Sequence, residues 1–181
     1  IFLSTDKLHL INIKKEKKVI TLERKKELCN DNIHAIEVVF DVINSFKKII
    51  DEDDNIMLML PTSPFRSIET IKKSCEMIEN EASSVIGLNR ASKGSNSYRT
   101  FKKETNLLNI PQKNKLHIQS SDLDEYVVTG SIFASKYKNL KKHKTFHQPL
   151  SQGIIVSDIE AIDINTEIEF LTAETYAKNF L

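Results

Sequence analysis

Residues Ile56 to Leu60 form an unbroken apolar run, Ile-Met-Leu-Met-Leu, that Pro61 ends. A run with no polar alternation suits a strand covered on both faces, because neither side of its pleat is left for water. Proline closes it, since it cannot donate to a ladder and it restricts the residue before it. The sequence on either side has helical spacing. From His34 to Ile50 the apolar residues Ile36, Val39, Phe40, Ile43, Phe46 and Ile50 fall on one stripe. Ser67 is placed to cap a second helix running to about Asn80, and Glu69 stands in its first turn, where the positive end of the helix dipole favours a carboxylate. Ser84 to Leu88, SVIGL, gives another buried strand. Ahead of these, Ile1 to Leu3 is a strand closed by the Ser4-Thr5-Asp6 turn, and Val19 to Leu22 is a short second one. Strands alternating with helices predict an α/β fold, with right-handed crossovers, a mostly parallel sheet and helices on both faces.

Beyond Leu88 the pattern weakens. Asn89 to about Lys115 is polar, with Tyr98 to Phe101 and Leu107 to Ile110 as candidate strands. Ser131 to Ala134 is predicted as a short strand, Ser135 to Lys142 as a short helix and Ala161 to Ile164 as a strand. Thr166 and Glu169 have the T-x-x-E spacing of a capping box, which opens a last helix.

With 181 residues, 40% hydrophobic and 28% charged, the chain is expected to be a single domain over residues 1–181. Its 26 basic and 25 acidic residues leave a net charge of +1, so no overall field draws a nucleic acid or an anionic membrane, and neither is expected as a partner. Cys29 and Cys75 form no metal or redox pair, and no apolar run approaches the roughly 20 residues that span a bilayer. A cytoplasmic location is expected. The chain opens inside an apolar strand rather than at Met, so an N-terminal segment is expected to be missing.

In a parallel α/β sheet ligands bind beyond the carboxyl ends of the strands, which directs attention to Ser4–Asp6, Pro61–Ser67, Asn89–Arg99 and Asp163–Thr166. The sharpest of these is Pro61-Thr62-Ser63-Pro64-Phe65-Arg66. Two prolines stiffen the backbone around Thr62 and Ser63, whose hydroxyls suit a ribose or sugar, and Arg66 can grip a phosphate or carboxylate in a bidentate manner. The same residues also describe a plain strand-to-helix turn capped by Ser67. Arg24, in a Lys-rich stretch, reads equally as a ligand contact or as a solvated charge, and Asp163 as a metal ligand or as a turn residue.

MLMLPTSPFR resembles the LQPTSPLR segment of the acylneuraminate cytidylyltransferases, the CMP-sialic acid synthetase family. Other stretches resemble that family in the same order. Leu3 to Asp6, LSTD, is similar to its VSTD; Arg24 to Asp31, RKKELCND, to RPxELAxD; Gly130 to Phe133, GSIF, to NGAIY; and Asp163 to Glu174, DINTEIEFLTAE, to DIDTExDFxxAE. The resemblance implies a Rossmann-like nucleotidyltransferase sheet with a small irregular dimerisation insertion, placed at 116–149. It implies transfer of CMP from CTP to an acidic sugar of the nonulosonic type for polysaccharide or glycoconjugate synthesis, with release of pyrophosphate. Mg²⁺ is the implied cofactor and a homodimer the implied assembly. Carried over residue by residue, Arg24, Thr62 and Ser63 would contact the nucleotide and Arg66 and Arg99 the sugar acid. Asp163 would be catalytic as the metal ligand, with Asn165 beside it at the metal.

The sequence also departs from the family pattern. Nothing in it matches the Gly-Gly-Ser-Lys phosphate loop with which the family opens. Leu60 stands for the Gln before PTSP, Thr129 for the Asn of NGAIY, and Asn165 for the second Asp of DID, while Ser120-Ser121 occupy the place of an arginine pair. Two alternatives follow: a related nucleotidyltransferase for another sugar acid such as Kdo, or a non-catalytic binding protein that keeps the fold.

Overall fold

The computed structural model describes residues 1–11, 18–91 and 125–180. In chain order its elements are β1 (Phe2–Thr5), α1 (Leu8–Ile11), β2 (Ile20–Glu23), a 3-10 turn at Lys26–Leu28, α2 (Ala35–Ser45), β3 (Asn55–Leu58), α3 (Ile68–Glu79), β4 (Ser84–Arg90), β5 (Tyr126–Lys136), α4 (Tyr137–His143), β6 (Gln152–Ile155) and α5 (Glu167–Phe180). The α/β class expected from the alternating pattern is observed. Candidate strands at 98–101 and 107–110, and Arg99 with them, lie outside the described residues.

β1 and β2 pair in parallel as a two-stranded sheet, and the remaining strands form a second sheet in the order β3-β5-β4-β6. β4 and β6 are parallel, while β5 runs antiparallel to both β3 and β4. The sheet is therefore mixed, with three strands pointing one way and β5 reversed between two of them. The apolar core of β5 explains why it is central: Ile132 and Ala134 are fully buried. They join Val85 of β4, Ile154 of β6 and Ile78 of α3 in one cluster, against which Met57, Ile71 and Met77 pack. α3 starts where expected, its first turn closed by the Thr70 N–H donating to Ser67 Oγ at 3.0 Å.

Other differences from the sequence reading have physical causes. Within 116–149 the strand expected at Ser131–Ala134 is longer, Tyr126–Lys136, and central to its sheet, and the helix expected at Ser135–Lys142 runs over Tyr137–His143. Ile132, Ala134 and Leu140 lie in the chain's own core. Residues 116–124 lie outside the described ones. Ala161–Ile164, expected as a strand, is instead the end of a turn, held by Ala161 N–H on Ser157 O and Ile162 N–H on Ile159 O. The last strand of the sheet lies earlier, at Gln152–Ile155, where only Ile154 is buried and the apolar signal is short. The capping box is present, with Thr166 N–H donating to Glu169 Oε2 and Glu169 N–H to Thr166 Oγ1. The helix it opens leaves Ile168, Phe170 and Leu171 exposed. Both cysteines are free thiols, and among the described residues no helix is long and apolar enough to cross a membrane.

β5 carries one irregularity that matters below. Ile86 pairs with Phe133 but Leu88 pairs with Val128, so β5 holds extra residues between these two points. Such a bulge takes its residues out of the ladder and re-aims them. Here it frees Thr129 to Ile132. A Cβ on Gly87 would stand 2.9 Å from Thr129 Oγ1, so the bulge needs a glycine opposite it.

The packing predicts that Ile132→Ala, which empties a fully enclosed site between β4 and α3, lowers stability by about 2–5 kcal/mol in a urea titration. A loss below 1 kcal/mol would show that β5 is not the centre of the core.

Candidate active site

β3 ends at Leu58, and the chain turns immediately through the two prolines. The turn is closed by Ser63 N–H donating to Leu60 O at 3.1 Å. Arg66 then folds back over it. Its Nη2 donates to Leu60 O and its Nε to Ser131 O, which joins the loop after β3 to the bulge of β5. The bulge makes the second contact possible, because a carbonyl within a regular ladder would already have an amide partner. Burial pushes the guanidinium's pKa down from its ordinary value. Among the described residues no carboxylate pairs with Arg66.

The segment after β6 approaches the same place. Ile164 N–H donates to Thr62 O at 2.8 Å, laying Asp163 against the Pro61–Ser67 loop. The two carboxylate oxygens of Asp163 then differ. Oδ2 accepts from the Asn165 amide at 3.0 Å. Oδ1 is buried with no hydrogen-bond partner, and so is Ser63 Oγ. Between these two orphaned atoms lies Gly130. A Cβ placed on it would stand 2.8 Å from Ser63 Oγ and 3.4 Å from Asp163 Oδ1. Buried polar atoms are nearly always satisfied, and leaving one unpaired costs about 1–3 kcal/mol. Two of them flank one side-chain-free position, Gly130.

Two carboxylates frame this region. Glu169 is held low first by the Asn165 backbone N–H and then by the Thr166 hydroxyl. Glu160 lies in the turn before Asp163. Desolvation would raise its pKa, but hydrogen bonds from Thr70, Ser67 and Ser157 outweigh that and bring it down to about 2.

The structure thus brings together Thr62, Ser63, Arg66, Asp163 and Asn165. Arg24, directly after β2, makes its hydrogen bonds to the end of β1 rather than to these residues. Its Nη2 donates to Ser4 O at 2.8 Å and its Nε reaches Ser4 Oγ at 3.4 Å, at the carboxyl end of β1. It lines a shallow polar cleft with Asp6, Glu23, Lys26 and Cys29. Arg99 lies outside the described residues. Glu160 escaped the sequence reading, although Ser157-Asp158-Ile159-Glu160 has the same S/T-x-x-E spacing as the box that was recognised at Thr166. Gly130 was noticed only as part of a motif, because nothing in a sequence shows that a glycine faces two unpaired oxygens.

Oxygen donors of this kind suit Mg²⁺, a hard ion that keeps several waters and needs only one or two carboxylates. Asp163 supplies one such carboxylate with a free oxygen, and the Asn165 side chain stands beside it. Among the described residues there is no group of three or more His, Cys, Asp or Glu that could hold a metal alone. Any ion here would therefore share its coordination with water or substrate.

No protein-family model matches the chain. Among curated proteins it is 28% identical over 152 residues to the CMP-N,N'-diacetyllegionaminic acid synthase of Legionella pneumophila, covering 83% of this chain and 66% of that protein. It is 22% identical over 172 residues to an N-acylneuraminate cytidylyltransferase of Streptococcus agalactiae, covering 94% of this chain and 41% of the relative. The chain thus spans less than two thirds of the length of the curated relatives it matches. Among solved structures, the 4-diphosphocytidyl-2C-methyl-D-erythritol synthase of Anaerococcus prevotii superposes with a TM-score of 0.54 at 11% identity, covering 94% of this chain and 75% of that one. That likeness shows a shared α/β fold. Taken with the motifs that run in the same order from LSTD to DINTEIEF, these matches show that the chain is similar to CMP-sugar synthases and N-acylneuraminate cytidylyltransferases over most of its length.

Proposed function

We propose that this chain belongs to an enzyme that transfers CMP from CTP to a nonulosonic acid, forming the CMP-sugar and releasing pyrophosphate. The observation that carries the reading is the pair of buried, partnerless oxygens, Ser63 Oγ and Asp163 Oδ1, facing each other across Gly130 beyond the carboxyl ends of β3 and β6. In the reaction a sugar hydroxyl oxygen bonds to the α-phosphorus of CTP as the bond to pyrophosphate breaks, and the hydroxyl proton is given up. Asp163 would hold Mg²⁺ through Oδ1, with Asn165 fixing Oδ2 and standing as a neutral neighbour. The ion, when bound, would neutralise charge on the transferring phosphoryl group. Thr62 and Ser63, on a loop stiffened by two prolines, and Arg24 at the end of β1 would position the nucleotide. Arg66, already anchored to two carbonyls, offers a fixed positive charge to the sugar carboxylate or a phosphate, and Arg99 is assigned to the same acid. The homodimer implied by the family resemblance is part of this reading and is checked by light scattering.

An unpaired buried carboxylate oxygen is a stability cost that ligand binding offsets. Asp163→Asn is therefore expected to melt at the same temperature as the parent or higher, yet to lose at least tenfold in Mg²⁺-dependent affinity for CTP, read by titration calorimetry. Unchanged CTP binding in this variant would remove Asp163 from the metal role. Gly130→Ala sets a methyl group between Ser63 and Asp163 and should weaken the same binding by about tenfold; because that methyl crowds the fully buried Ser63 hydroxyl, the variant should also lose about 1–3 kcal/mol of stability, read in a urea titration. Incubation of the protein with CTP, Mg²⁺ and a panel comprising an N-acylneuraminate, a legionaminate and Kdo tests the substrate class. CMP-sugar from either of the first two supports the reading, product from Kdo alone redirects it to another sugar acid, and no CTP binding by folded protein favours a non-catalytic role.

A further inference from the structure

The segment that carries Asp163 is fixed to the rest of the site at two points, one on each side of it. On the far side, Ile164 N–H donates to Thr62 O at 2.8 Å. On the near side stands Glu160, whose two oxygens have separate duties. Oε2 closes a local capping box, accepting from Ser157 N–H at 3.2 Å and Ser157 Oγ at 3.0 Å, while Glu160 N–H donates to Ser157 Oγ at 3.3 Å. Oε1 leaves the turn altogether. It accepts from Ser67 N–H at 3.0 Å and from Thr70 Oγ1 at 2.7 Å, across 93 and 90 residues of sequence. A capping box needs only one of these oxygens. The second binds the turn to the first residues of α3, directly after the loop that carries Thr62, Ser63 and Arg66.

We propose that Glu160 is a positioning residue of the active site: by clasping the 157–164 turn to the N-terminus of α3, it holds the Asp163 carboxylate opposite Ser63 across Gly130. The proposal rests on the reading of Asp163 as the carboxylate that holds the metal. Charge-assisted hydrogen bonds are about twice as strong as neutral ones, and four donors converge on this single carboxylate. Without it, Ile164 N–H is, among the described residues, the backbone tie left between the segment and the loop, and a ligand displaced by even about 1 Å loses much of its effect. Supporting partners behind metal ligands typically contribute 10–100-fold to metal affinity.

The test compares Glu160→Ala with Leu140→Ala, a core substitution in α4 that should cost at least as much stability without touching the clasp. Two readouts are taken on the folded chain: Mn²⁺ affinity by water-proton relaxation, and amide exchange at Ile164 relative to Val85 in β4. In Glu160→Ala, Mn²⁺ affinity should fall about tenfold and the Ile164 to Val85 exchange ratio should rise about tenfold. In Leu140→Ala both amides should lose protection together, leaving the ratio and the Mn²⁺ affinity as in the parent. The proposal is overturned if the ratio stays put in Glu160→Ala, if it rises equally in Leu140→Ala, or if it rises while Mn²⁺ binding is unchanged. A parent chain that binds no Mn²⁺ would sink the metal role of Asp163, and the exchange ratio would still decide whether Glu160 holds the turn.

Discussion

Arg66 lies between two backbone carbonyls, Leu60 O at the end of the β3 region and Ser131 O in the bulge of β5. Its guanidinium is planar and presents several donors at fixed angles, which a lysine cannot copy. Because β5 runs against its neighbours, the carboxyl-end loop of β3 meets the middle of β5 rather than another strand end. Something must join the two, and the cation does so with hydrogen bonds of the charged kind, which contribute about 1.5–3 kcal/mol each. The position of Ser63 follows from this contact, since the turn that buries it runs from Leu60 to Arg66. Gly130 is set by it too, as the residue before the carbonyl that Arg66 holds.

From that joint the rest of the site is assembled by short local devices. The bulge releases Thr129 to Ile132 from the ladder, and the hydroxyls of Thr129 and Ser131 then bond each other at 2.6 Å instead of requiring a strand partner. Ile164 adds a single backbone bond to Thr62, and two capping boxes, at Ser157 and at Thr166, bracket Asp163 on either side. Each box makes the path of the chain definite where it has no strand or long helix to follow. An irregular segment of this kind holds its shape only when its backbone groups have partners. Asp163 sits in the gap between the two boxes, which is why one of its oxygens can remain unpaired without the loop collapsing onto it.

Much of this architecture could be read from the sequence because it depends on local pattern. The apolar run before Pro61, the stripe from His34 to Ile50 and the Ser67 cap each require only a few consecutive residues, and each is found. The helix nevertheless stops at Ser45, and β3 is a half-buried edge strand rather than one covered on both faces, because its neighbours are set by distant pairing. β5 was seen only as Ser131 to Ala134, since Tyr126 to Thr129 mixes exposed and buried positions and its direction depends on partners some 40 to 80 residues away. No propensity reports that a strand will insert backwards between two others. Ala161 to Ile164 failed for the opposite reason. Its apolar residues have the right type for a strand, but Glu160 and Ser157 commit the preceding backbone to a turn, and local hydrogen bonding wins over hydrophobic pattern there.

The site shows the same division between what a motif reveals and what only geometry reveals. PTSPFR and DIN announced themselves as chemistry, and the fold brings them within one backbone hydrogen bond of each other. What no motif announced is the asymmetry of Asp163, one oxygen satisfied by Asn165 and the other left open. Compared with the family pattern, Asn165 reads as the loss of a negative charge. In this structure the same residue supplies a donor that a second carboxylate would lack, so it orients Asp163 and leaves Oδ1 as the free oxygen. A single oriented carboxylate is enough for an ion that prefers to keep its waters. Asn165 therefore sets which Asp163 oxygen is left free for the ion that the proposed function requires.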